Sequence, residues 1–202
     1  KKYLREDELY KIKTIFWAYN VVDYAPFLNV SVEYKGQNKP VRVTGTWFDY
    51  EIDLHTGQEV ITGIRRMRTW WEVTGTWASD TDDSSCMIGS LFAGRNAIHV
   101  GDVIEVTGPA GSASLTVSGI FNSGSNEDEY IFTTIHTAQR LLGKTDVCES
   151  IEVSALTTPD NDLARKAARN PLSLTIKEME VWYCTAYVSS ICYQIQEVIT
   201  DA

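Results

Sequence analysis

A chain of 202 residues, 44% hydrophobic and 22% charged, has the make-up of an ordinary globular protein, long enough to bury a core without a metal or a dense disulfide framework. Its formal net charge of -9 argues against nucleic acid as a partner, because affinity for a phosphate backbone rests on Lys and Arg. No run of about 20 apolar residues is present, the length a membrane-spanning helix needs.

In chain order, Leu9, Ile12, Ile15 and Phe16 recur at helical spacing and predict a helix between Leu4 and Val22, ended by Tyr24-Ala25-Pro26. Alternation over Leu28 to Tyr34 and again over Val41 to Gly45 predicts a hairpin that turns at Lys35-Gly36-Gln37-Asn38. Arg65, Arg66 and Arg68 then precede Trp70 and Trp71. We read this cluster as a turn or strand edge whose arginines meet the surplus acids, in preference to a base-stacking surface. The run Val43-Thr44-Gly45-Thr46-Trp47 recurs as Val73-Thr74-Gly75-Thr76-Trp77. Two copies do not make a repeat protein, so each is expected to be a strand end with Gly at a bend and Trp as a packing anchor.

After the acidic loop Asp80 to Ser85, the residues Met87, Ile88, Leu91, Phe92 and Ile98 predict a short helix, closed near His99 to Asp102. Strands follow over Val103 to Val106 and Leu115 to Ile120, joined by Gly108-Pro109-Ala110-Gly111. A short strand at Ile131-Phe132 leads to a helix over Thr134 to Leu142 stopped by Gly143, and Ile151 to Ala155 is another strand. A helix from Pro159–Asp162 to about Arg169 breaks at Asn170-Pro171. The last helix is expected to carry one apolar seam, Val181, Cys184, Val188, Ile191, Ile195 and Val198, and to reach the end of the chain, as a segment of a longer protein would.

Little here carries chemistry. Gly143-Lys144-Thr145 lacks the first glycine of a phosphate-binding loop, since position 138 is Ala, and the common hydrolase, dinucleotide and calcium motifs are absent. The three histidines, His55, His99 and His136, lie in separate segments, and the four cysteines form no CxxC pair. On one helix Cys184 and Cys192 would be separated by roughly 12 Å of rise, so a disulfide from either would have to reach Cys86 or Cys148. No catalytic, cofactor-binding or metal-binding residue is assigned. Gly124 to Glu129 is the one special loop, read as solvated. Glu127 and Asp128, with Trp70 and Trp71, are the candidate contacts for a partner.

The order of Val43-x-Gly45-x-Trp47-Phe48, Thr69-Trp70-Trp71-x-Val73-x-Gly75-x-Trp77, Ile88-Gly89-Ser90, Val100-Gly101-Asp102, Val117-x-Gly119-Ile120 and Glu127-Asp128 resembles the extracytoplasmic core of FtsX-like ABC transporter permeases. The continuation Ala138-Gln139-x-Leu141-Leu142, Ile151 to Leu156 and Trp182 to Tyr187 is similar to their MacB-like branch. The resemblance runs from about residue 25 onward and implies an α+β domain inserted between the first and second of four transmembrane helices. It implies a porter-like α/β subdomain, residues 1–62 and 126–202, with helices at both termini leading to the membrane helices, and a smaller α/β subdomain inserted at 63–125.

The same resemblance implies a non-catalytic permease domain, on the periplasmic or extracellular side of the inner membrane, that couples ATP-driven motion to export or extraction of a substrate. Its implied partners are the transmembrane helices of its own chain, a second permease subunit, a cytoplasmic ATPase subunit and a periplasmic adaptor or lipoprotein. The segments 1–16 and 190–202 would then form an antiparallel stalk. The alternatives are a secreted or surface-anchored ligand-binding module that uses the Trp-rich stretch 65–77 and, less favoured, a hydrolase built on Glu127 and Asp128.

Overall fold

Val21 to Tyr34 carries apolar side chains of both parities, which suits a strand packed on two faces better than an amphipathic helix. In the computed structural model, which describes residues 2–35 and 39–202, this segment is strand β1 (Val21–Tyr34). The expected N-terminal helix is therefore shorter and of another kind. It is a 3-10 helix over Glu6–Thr14 and a second over Ala18–Asn20, and Pro26 falls inside a strand instead of ending a helix. Pro26 has no N–H to give, and it lies in the stretch of β1 paired with one neighbour alone.

The chain continues through β2 (Val41–Thr46), β3 (Tyr50–Asp53), β4 (Glu59–Thr62), α1 (Ile64–Met67), β5 (Glu72–Gly75), β6 (Ser85–Gly89), α2 (Ser90–Asn96), β7 (Val103–Thr107) and β8 (Ser112–Asn122). Then come β9 (Ile131–Thr134), α3 (Ile135–Leu142), β10 (Ser150–Ala155), α4 (Asp162–Arg169), α5 (Ile176–Tyr183) and α6 (Val188–Val198). β1 and β2 pair antiparallel as expected, and the turn predicted at Lys35-Gly36-Gln37-Asn38 lies, apart from Lys35, outside the described residues.

Hydrogen bonding joins the strands in the order β10-β1-β2-β9-β6-β8-β5, and β7 pairs with both β8 and β1. Six strands, β1-β2-β9-β6-β8-β7, thus make a closed circuit, with parallel pairing at β2–β9 and β6–β8. Because β1 is long it can serve three neighbours in succession: β10 as far as Phe27, β2 from there to Val32, and β7 at Glu33 and Tyr34. The segment 63–125 supplies β5 to β8 and is bonded to the rest through β6–β9 and β1–β7.

Alternation along β1 divides the core. Tyr24, Leu28, Val30, Val32 and Tyr34 join Leu9, Ile12, Ile135 and Leu141 in one cluster, while Ala25 and Phe27 join Phe48, Trp71, Phe121 and Phe132 in another. Helix α3 lies close over β2 because Gly45 has no side chain there; a Cβ would overlap the Ala138 methyl. Gly45 is thus a site of close approach within a strand, not a bend.

Two further expectations are corrected. Met87 and Ile88 belong to β6, not to the following helix: with β8 and β9 on either side, all five residues of β6 are buried, and a continuous apolar run has no periodicity to read. The terminal seam also spans two helices. The chain leaves α5 at Cys184 and turns through Thr185 to Tyr187, held by Thr158 N–H donating to the Ala186 carbonyl at 2.8 Å. Val181 and Val188 end up exposed, whereas Ile191 and Ile195 are buried beside Ser190 and Gln194. Helix α6 ends at Val198, with Ile199 extended. All four cysteines are free, Cys86 and Cys148 buried, Cys184 and Cys192 exposed.

Candidate functional site

The arginine cluster lies on and just after α1, and each member meets acid as expected. Arg65 reaches Asp49 at 3.7 Å, Arg66 donates to Asp23 at 2.8 Å, and Arg68 meets Glu152 at 2.7 Å and Glu127 at 3.4 Å. Arg68 is the central one: its side chain is only 11% exposed, and its guanidinium stands 5.7 Å from the ring centres of both Phe27 and Trp70. The sequence reading singled out neither Arg68 alone nor Glu152, which comes from a strand more than eighty residues away.

Around this guanidinium the four candidate contact residues separate. Trp70 is 59% exposed and Glu127 partly exposed, so the two remain presentable on one surface with Arg68 between them. Trp71 turns inward, stacked on Phe121 at 4.0 Å and on Trp77 at 5.6 Å with its edge on Phe132, and is buried. Asp128 is buried too, accepting from the Ser123 amide at 2.6 Å, the Ser123 hydroxyl at 2.8 Å and the Gly124 amide at 3.1 Å. It ties its own loop together and is not available to a partner.

Three consecutive carboxylates therefore do three things: Glu127 meets Arg68, Asp128 holds the loop and Glu129 meets Arg95 at 3.4 Å. They do not converge as a general acid/base pair must, which removes the hydrolase reading built on Glu127 and Asp128. The histidines are likewise apart, His55 edge-on to Tyr10, His99 near Asp102 and His136 near Glu6. Among the described residues no three His, Cys, Asp or Glu side chains are grouped to hold a metal.

A second feature is the meeting of the chain's ends. The Glu8 carboxylate accepts from the Thr200 amide at 2.8 Å and the Thr200 hydroxyl at 3.0 Å, and Lys2 pairs with Asp201 at 2.5 Å. Farther along the same antiparallel contact, the Tyr183 carbonyl accepts from Trp17 Nε1 at 3.0 Å, Gln194 Nε2 at 3.1 Å and Ser190 Oγ at 3.2 Å. Leu9 and Ile12 on one side, with Ile195 and Ile199 on the other, belong to the same buried cluster. The first segment is 3-10 rather than α-helical, so the expected pair of regular stalk helices is here one 3-10 and one α-helix.

Donation from Thr200, with Lys11 beside it, holds the Glu8 carboxyl at about 2, well below the ordinary carboxylate range. A depressed folded value means that the tie is complete above the unfolded value of roughly 4.3 and is lost as the pH falls through about 2. We expect an NMR titration of the Glu8 carboxyl to give a midpoint near 2, with Thr200 amide protection lost in the same window. An ordinary Glu midpoint would mean that the ends are not tied in solution.

The model of the MacB-like periplasmic core domain family matches residues 2–170. No curated protein matches the chain. Of solved structures, the periplasmic region of MacB from Actinobacillus actinomycetemcomitans superposes with a TM-score of 0.53 at 8% identity, over 81% of this chain and 70% of that one. The extracellular domain of the noncanonic ABC-type transporter YknZ from Gram-positive bacteria gives 0.51 at 11% identity, over 82% of this chain and 79% of its own. At such identities the likeness is one of fold. Helices α5 and α6 lie beyond the span of the family match.

Proposed function

Since the chain belongs to the MacB-like periplasmic core domain family, we propose that it is the extracytoplasmic part of an ABC transporter permease and transmits ATP-driven motion without doing chemistry itself. The observation that carries this reading is the side-by-side placement of the chain's ends, through Glu8 with Thr200 and Lys2 with Asp201. A domain inserted between two successive membrane helices must return its chain close to where it left, because packed helices lie roughly 8–10 Å apart. No helix among the described residues is long and apolar enough to cross a membrane, so the reading assigns the crossing to sequence outside these 202 residues.

Motion delivered at the paired ends would pass into β1, which follows the 3-10 helices directly and bonds to three other strands. The proposed partners are a second copy of the permease, a cytoplasmic ATPase on a separate subunit, and a periplasmic adaptor or lipoprotein. Trp70 and Glu127, around Arg68, are the proposed contact for the last of these. The domain is placed on the outer side of the inner membrane. A division into 1–62 with 126–202 and an insert at 63–125 is part of the same proposal, and any relative movement of the two parts must be small enough to keep the shared sheet intact.

The test uses the intact permease with Glu8→Cys and Thr200→Cys introduced and the exposed native cysteines, Cys184 and Cys192, replaced by serine. The yield of the 8–200 disulfide is expected to change when ATP is added. Equal yields with and without nucleotide would contradict a coupling role for the joined ends.

A further inference from the structure

Acidic residues outnumber Lys and Arg by 27 to 18 in this chain, yet a groove with an aromatic wall carries more cations than acids. It has a volume of about 470 Å³ and lies between the start of β2, the end of α2 and the residues just before β9. Lys39, Arg42 and Arg95 line it, against a single carboxylate, Glu129. The Arg95–Glu129 pair is long at 3.4 Å and both side chains are at least half exposed, so solvent screens it and Arg95 retains most of its capacity to bind an anion.

Arg42 stands over the Tyr130 ring at 4.7 Å from its centre. Among the described residues neither Lys39 nor Arg42 has a carboxylate within ion-pair distance. Glu127 and Glu152, which line a small neighbouring groove with Arg42, are engaged by Arg68. Among the described residues Lys39 and Arg42 are thus left without an ion-pair partner, and Arg95 has a single screened one, in a protein with acid to spare. Pro40, Val41 and Tyr130 add an apolar and aromatic wall to the same groove.

We propose that this groove binds a phosphoryl group carried on an apolar or aromatic body. Three cationic side chains match the three terminal oxygens of a phosphate monoester, whereas a carboxylate offers two. The planar guanidinium fork suits phosphate oxygens, and Pro40 and Val41, beside Tyr130, receive the attached body. The reading of the chain as a permease domain is not needed for this site.

The probe is phenyl phosphate, titrated at low ionic strength into the isotope-labelled 202-residue chain and followed by NMR. Saturable shifts confined to residues around Arg42, Arg95 and Tyr130 are expected, weakened by high salt and absent with phenol. An Arg42→Gln, Arg95→Gln double variant should bind at least about tenfold more weakly, the size expected when charge-assisted hydrogen bonds are lost. Both side chains are exposed, so the rest of the spectrum should stay unchanged.

Co-sedimentation with vesicles containing phosphatidic acid, whose headgroup is a phosphate monoester, but not with phosphatidylcholine vesicles, lost in the double variant, would identify a lipid headgroup as the source. No sedimentation together with saturable phenyl phosphate binding would identify a soluble phosphate ester. Shifts that do not saturate, or affinity unchanged in the double variant, would overturn the proposal.

Discussion

Replacing Trp47 by alanine is expected to destabilise the chain by about 3–5 kcal/mol, the usual range for a large aromatic removed from a core. The ring is 3% exposed and stacks on Tyr50 at 4.3 Å, and it also touches Tyr24 of β1. Its Nε1 donates to Glu6 at 2.9 Å, and the other Glu6 oxygen accepts from Gln139 at 2.8 Å. Truncation would leave a cavity where the first 3-10 helix, β1 and β3 meet, and would deprive a nearly buried carboxylate of one of its donors.

Trp77 occupies the equivalent place in the sequence echo but is only partly buried, stacked on Trp71 with ring centres 5.6 Å apart. Its loss should cost about 1–2 kcal/mol, within the ordinary range for a partly buried contact. Urea unfolding of the two variants checks this. Equal losses would mean that the echo reflects equal packing after all.

The second large effect is expected at Gly63, which precedes α1 with φ 143° and ψ 177°. A Cβ there would lie 2.6 Å from the Phe48 carbonyl carbon and closer still to its oxygen, which is backbone and cannot swing away. Gly63→Ala therefore combines a sparsely populated conformation, about 1–3 kcal/mol, with an overlap of similar size. It would also push away the amides of Ile64 and Arg65, which donate to Trp47 and Phe48 at 2.9 and 3.0 Å. Gly94→Ala is the control. Nothing lies within 4 Å of a Cβ at Gly94, and the residue is helical, so this change should stabilise by about 0.5–1 kcal/mol. If Gly63→Ala unfolded at the same denaturant concentration as the parent chain, the close approach of α1 to residues 47 and 48 would be wrong.

The sequence was legible wherever one local rule decided the outcome. Alternation found the β1–β2 and β7–β8 hairpins, and Thr134 and Gly143 bracket α3 as its N-cap and C-cap, the cap side chain accepting from Thr137 N–H. Asn161 does the same for α4, whose end at Asn170-Pro171 was also readable. The surplus of acid indicated that Arg65, Arg66 and Arg68 would find partners, though not which ones. Of the four candidate contacts, Trp70 and Trp71 could not be told apart, since adjacent residues of one type differ only in what packs beneath them.

By itself the sequence determined the composition class, the turns and caps, the absence of a recognisable catalytic motif, and an ordered set of fragments specific enough to indicate a family. Only the tertiary structure decided which segments would be buried on two faces. That is why Met87 and Ile88 lie in a strand where periodicity suggested helix, and why β1 begins at Val21, ahead of the alternation over Leu28 to Tyr34 that marked a strand: once both faces are covered, the apolar pattern no longer has a period. It also decided that the terminal seam is two helices, because spacing counts residues and carries across a bend unseen. The meeting of Glu8 with Thr200 and of Arg68 with Glu152 depends on how the sheet brings distant strands together, and residue spacing along the chain does not encode that distance.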